Sequence, residues 1–302
     1  MATTVGSGKY TYEVHNDWAQ VPPGWEMPAA AVTVDSQDRV YAFNRAQDHP
    51  VVVFDREGNY LSSWGKGLIA FAHSILADQE DNIWLVDRNH GQVLKFTPEG
   101  KLLMTIGTAD HRSDTGVDPT DFSSDAYTSV THGGEPFNMP AGIALNASGD
   151  VFIADGYANC RVHRFSPEGV HLLSWGDPGN GPGQFNLPHG VWIDREGRVL
   201  VADRENDRVQ IFTQDGDYIS TWATHLIGPA LFYVDDDDTV YIPEHNGGLI
   251  SILTLEGERL AQWGSMAYRS CHGICVDSHG DIYVVQPVEG VKGRRVVKYT
   301  RV

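Results

Sequence analysis

The 302-residue chain carries 40 acidic and 22 basic residues, and its net charge of −18 argues against nucleic-acid backbones and anionic membrane surfaces as partners. A hydrophobic content of 41% supports a sizeable core, yet no run approaches the roughly 20 apolar residues of a membrane helix. Three cysteines build no disulfide framework and the opening residues lack the basic and apolar regions of a secretion signal, so a soluble, cytoplasmic protein is expected.

The first strand candidate, Tyr10-Thr-Tyr-Glu-Val14, stands ahead of everything that repeats. Six copies of one unit follow, anchored at Asp35, Asp78, Asn146, Asp194, Asp235 and Asp277. Each holds a short apolar stretch, the Asp or Asn anchor, a turn, a second stretch, a polar loop, a third stretch ending in an aromatic residue, an acidic-Gly turn and often Trp-Gly. In the fourth unit the turn Arg195-Glu-Gly-Arg198 leads into the run Val199-Leu-Val-Ala202, and the turn Thr213-Gln-Asp-Gly216 follows the run Arg208-Val-Gln-Ile-Phe212. Glycine after an acidic residue supplies the corner that a tight hairpin needs, so each unit reads as a four-stranded antiparallel meander.

Such a sheet cannot bury both faces alone, and a spacing of about 42 residues is that of propeller blades. The expected fold is all-β: a six-bladed β-propeller with four antiparallel strands per blade, one domain over residues 1–302. The Tyr10 strand is expected to close the ring as the outermost strand of blade six. Between blades two and three, residues 108–138 form an insertion rich in Asp, Ser, Thr and Gly and a candidate lid. Residues 235–238, four aspartates, read as a turn rather than a calcium loop.

Five residues upstream of each anchor, where the innermost strand begins, stand Ala30, His73, Ala141, His189, Ala230 and His272. Alternate blades carry histidine, and symmetry places three imidazoles about the axis at one height. Three neutral imidazoles with an open fourth position are a set that zinc or a similar divalent metal uses as Lewis acid, so His73, His189 and His272 are the expected ligands. The loops between second and third strands reach the same face. They bring Arg45, Tyr157 and Arg204 near the metal as candidate catalytic residues, with His90 and His245 as candidate substrate contacts.

The segments Leu187-Pro-His-Gly190, Ala154-Asp-Gly-Tyr-Ala-Asn-Cys-Arg-Val162 and Val201-Ala-Asp-Arg-Glu-Asn-Asp-Arg-Val-Gln210 resemble the NHL-repeat propellers, and among them peptidyl-α-hydroxyglycine α-amidating lyase. The resemblance covers about residues 25–300. It implies a catalytic zinc on His73, His189 and His272, Tyr157 as base, Arg204 supporting the tyrosine and Arg45 recognising the substrate carboxylate. Gly273 follows His272 where that family has an aspartate that helps to hold calcium, a departure that leaves calcium doubtful.

The expected activity is a zinc-dependent carbon–nitrogen lyase that cleaves an N-acyl α-hydroxyglycine-like carbinolamide to an amide and glyoxylate. Its substrate would be a small-molecule or short peptide-like carboxylate. The alternatives are a metal-dependent hydrolase of a lactone or ester, and a non-enzymatic NHL propeller that binds a protein or peptide.

Overall fold

A computed structural model describes residues 3–222 and 225–302. Its six antiparallel sheets correspond to the six repeats in chain order. Blade one is Ala29–Val34, Val40–Asn44, Val51–Phe54 and Tyr60–Trp64, and blades two to four repeat that layout. Blade five begins with a strand of two residues, Tyr233–Val234. Helical backbone among the described residues is confined to three short 3-10 turns, and no helix is long and apolar enough to cross a membrane.

The anchor residues explain why the units recur. Asp35, Asp78, Asn146, Asp235 and Asp277 each accept, through one side-chain oxygen, backbone N–H bonds from residues two and four positions later. Asp194 accepts from Arg198 alone. This Asx turn closes the hairpin between first and second strands, and the residue three after the anchor takes a left-handed backbone in all six blades: Asp38, Asp81, Gly149, Gly197, Asp238 and Gly280.

Closure follows expectation and goes one strand further. Tyr10–His15 pairs with Arg294–Arg301 of blade six, so the two ends of the chain share a sheet. Thr4–Ser7 then adds a fifth strand, which the repeat did not foretell.

Blades pack through mixed aliphatic and aromatic clusters, with Trp18, Phe54 and Tyr283 joining blades one and six. A tryptophan ending the outermost strand also leans on a left-handed glycine of the next blade. A Cβ at Gly100 would lie 2.5 Å from Trp64, at Gly216 3.0 Å from Trp175 and at Gly257 2.7 Å from Trp222. Only a residue without a side chain admits these contacts, which is why the acidic-Gly turn recurs.

The segment between Ile106 and Pro140 is ordered against the ring mouth. Val117, Ala126, Tyr127 and Val130 pack with Met139, Tyr157 and Leu187. Arg112 ties it internally, donating to the carbonyls of Pro119 and Asp121 at 2.8 Å and to Asn138 Oδ1 at 2.6 Å.

Candidate metal centre

The ring positions owe their direction to a backbone irregularity. In blades one to four the innermost strand slips register by one residue, and the residue left unpaired is Ala30, His73, Ala141 or His189. A bulge of this kind re-aims one side chain, here towards the axis. In blade six the strand starts only at Ile274, and His272 is held by backbone bonds to Val285 and Leu231. A clamp sets the height: a carboxylate at the end of the second strand accepts the N–H three residues before the ring position. Asp87 does so from Ala70, Asp155 from Asn138, Asp203 from Asn186 and Glu244 from Ile227.

His73, His189 and His272 converge as expected. Their ring centroids lie 4.8–4.9 Å apart, the candidate ligand atoms all fall within 4.8 Å of one another, and all three are buried. His73 Nδ1 donates to the Ala141 carbonyl and His272 Nδ1 to that of Ala30, each at 2.7 Å. For these two the alanine of the following blade thus fixes the tautomer and leaves the Nε2 lone pair facing inward, whereas His189 Nδ1 is buried without a hydrogen-bond partner among the described residues. Burial, and then nearby cationic groups, hold all three imidazoles well below their ordinary pKa and therefore neutral. His272 Nε2 is buried without a hydrogen-bond partner among the described residues. Neutral, inward-facing and partly unsatisfied nitrogens fit a divalent metal.

Tyr157 closes the cluster. Its hydroxyl lies 3.2 Å from His73 Nε2 and 3.3 Å from His189 Nε2, and Arg204 donates to it at 3.2 Å. Burial alone would raise the phenol, but Arg204, Arg88 and Arg45 together bring it below its ordinary value. Arg204 is itself held at 2.8 Å by Glu205, and Arg45 stacks over Phe71 at 4.1 Å.

The two remaining candidates part company. His245 belongs to the centre, its ring 6.1 Å from that of His272 and its pKa pushed down to about 3, mainly by burial. His90 pairs with Asp87, the blade-two clamp carboxylate, at 3.0 Å and lies 3.9 Å from Asp110 of the insertion. Two arginines were missed. Arg88 lies 4.7 Å over the Tyr157 ring, and its sequence signal was an Asp87-Arg88 pair in the register of Asp203-Arg204. Arg294 lies beyond a longer loop of blade six that breaks that register.

Gly273 offers no carboxylate beside His272, and a Cβ there would stand 3.0 Å from the Ala31 Cα, so a side chain at this position requires the neighbouring backbone to shift.

Residues 137–165 and 185–212, most of blades three and four, match the NHL repeat. The human NHL repeat-containing protein 3 is 30% identical over 71% of this chain and 60% of its own length. Peptidyl-alpha-hydroxyglycine alpha-amidating lyase 1 of Drosophila melanogaster is 32% identical over 65% of this chain and 34% of its own. The chain therefore spans less than two thirds of either relative. Among solved structures, a gluconolactonase from Xanthomonas campestris (TM-score 0.64, 12% identity, 96% of this chain and 88% of that one) and a virginiamycin B lyase from Staphylococcus aureus (TM-score 0.61, 13% identity, 96% and 88%) share the propeller fold.

Proposed function

We propose, from the premise that this chain is an NHL-repeat β-propeller, that it is a metal-dependent lyase that splits N-acyl α-hydroxyglycine-like carbinolamides into an amide and glyoxylate. The observation that carries the reading is the Tyr157 hydroxyl, held at once on two of three converging imidazoles and on a guanidinium. The named amidating-lyase relatives support it.

His73, His189 and His272 would hold zinc or a similar divalent ion, which supplies Lewis acidity towards the substrate hydroxyl oxygen. Tyr157, its phenol lowered by three guanidinium groups, takes the hydroxyl proton. The electron pair left on oxygen forms the aldehyde carbonyl as the C–N bond breaks, and the nitrogen leaves as an amide after gaining a proton. Arg204 keeps the phenolate oriented and counters its charge, while Arg45 pairs with the carboxylate that becomes that of glyoxylate. The insertion packs against Tyr157 and limits water around it.

The test is elemental analysis of the purified protein together with a glyoxylate assay on N-acetyl-α-hydroxyglycine. About one equivalent of divalent metal and glyoxylate release are expected, with the metal lost in His189→Ala. A metal-free active protein, or lactone opening without any glyoxylate, would displace the reading.

A further inference from the structure

The side chains around the histidines enter through one backbone device. In blades two to five the residue after each clamped N–H offers its carbonyl to the backbone N–H of a residue at the centre: Phe71 to Arg88 at 3.1 Å, Met139 to Tyr157 at 3.4 Å, Leu187 to Arg204 at 3.1 Å and Gly228 to His245 at 2.6 Å. Met139 and Leu187 are buried with left-handed backbones, φ +62° and +63°, where blade five has a glycine. Such a backbone is strained for a residue with a side chain and persists only where its surroundings over-determine it. In blade three the surroundings lead to Asp155, whose Oδ2 accepts the Asn138 N–H at 2.8 Å, while the Ala158 N–H returns to the Asn138 carbonyl at 3.1 Å. The Asn138-Met139 strip and the loop of Tyr157 thus hang on one carboxylate.

That carboxylate is supported differently from its neighbour. Asp203 of blade four takes Arg208 at 2.8 Å, whereas Arg161, in the register of Arg208, lies 4.0 Å from Asp177 instead. Asp155 accepts from Asn159 Nδ2 at 2.9 Å, and its ion-pair partner among the described residues is the fully buried His163, with Nε2 3.2 Å from Oδ2. His163 occupies the register that Gln210 holds in blade four. Burial keeps its imidazole below the ordinary pKa and so neutral, with a single N–H. A carboxylate only accepts, so that N–H sits on Nε2, and Nδ1 takes the Ser174 hydroxyl at 2.7 Å. His171 Nε2, also 2.7 Å from the Ser174 oxygen, donates to it. Ser174 therefore selects the tautomer that serves Asp155.

We propose that His163 is a positioning residue for Tyr157: by holding Asp155 it fixes the strip on which the Tyr157 loop hangs, and Ser174 sets its tautomer. The consequence for turnover rests on the lyase reading; the positioning does not. Hydrogen–deuterium exchange of the purified protein tests it. In His163→Leu the amides of Asn138, Tyr157 and Ala158 should exchange about tenfold or more faster, while the matching amides of blade four, Asn186, Arg204 and Glu205, keep their parent rates. His163→Gln should stay close to the parent, because Gln210 donates to Asp203 from the same register. A residue that only adds stability would speed exchange in both blades alike. With N-acetyl-α-hydroxyglycine, His163→Leu should lower kcat about tenfold or more with KM changed by no more than about twofold, and His163→Gln should regain most of the loss. Ser174→Ala, at a half-buried position, should speed the same amides to a smaller extent and decides the matter if His163→Leu fails to fold. Unchanged exchange at Tyr157 and Ala158 in folded His163→Leu or in Ser174→Ala, equal acceleration in blade four, or a glutamine that restores nothing overturns the proposal. Should exchange respond as stated while no hydroxyglycine is turned over, the positioning is upheld and the lyase reading alone is lost.

Discussion

Tyr157 is the residue on which chemistry and electrostatics meet. One hydroxyl proton faces two imidazole acceptors while Arg204 donates to the same oxygen, so removing the hydroxyl removes the base we propose and leaves the three histidines. Tyr157→Phe should retain metal by elemental analysis and lose about 10²- to 10⁴-fold in kcat. The base must be deprotonated, so kcat/KM should climb with pH and level off above the phenol pKa. Replacing Arg88 by glutamine removes one of the charges that lower the phenol and should move that rise to higher pH. The positions of Tyr157 and Arg204 beside the histidines were legible in the sequence, because each follows a second strand whose end is marked by aspartate. Arg88 sits in the same register but was masked by His90 two positions on, a residue that the fold turns towards Asp87 and Asp110.

At the scale of strands and turns, the hydrogen-bonding capacity of one Asp or Asn per unit is a local property and was legible as a repeat. The bulge at the ring position was not, since register slippage depends on the partner strand. Packing between blades offers a further test. Gly216 combines a backbone φ of +86° with the Trp175 ring where a side chain would go. Gly216→Ala should destabilise the protein by about 1–3 kcal/mol in denaturant titration, through strain and overpacking, without changing metal content. A neutral effect would mean that the blade contact yields more easily than its geometry indicates.

On the scale of the whole molecule the ring depends on its ends being joined. Deleting residues through His15 uncovers the edge of Arg294–Arg301 and removes Tyr12, whose fully buried ring packs on Trp263. The truncated protein should unfold at lower temperature and aggregate through the open edge, as light scattering would register. The buried centre also links stability to pH. Folded, metal-free protein keeps His73, His189 and His272 neutral, whereas the unfolded chain protonates them below about pH 6.5. Stability present above that pH is therefore lost as pH falls, by up to about 1.4 kcal/mol per unit for each imidazole, and the melting temperature of chelator-treated protein should drop between about pH 7 and pH 5. A flat profile would argue against neutral burial of the set. Repetition of a local hairpin chemistry, with its phase, was enough for the sequence alone to determine the number of blades and the alternate histidines, because hydrogen-bonding side chains and glycines act over a few residues, whereas the closing strand was inferred from the need to complete the ring. Only the tertiary structure decided which side chains meet on the axis. The fifth strand and the placement of Arg88 over the Tyr157 ring arise from contacts between distant segments, which no local pattern encodes.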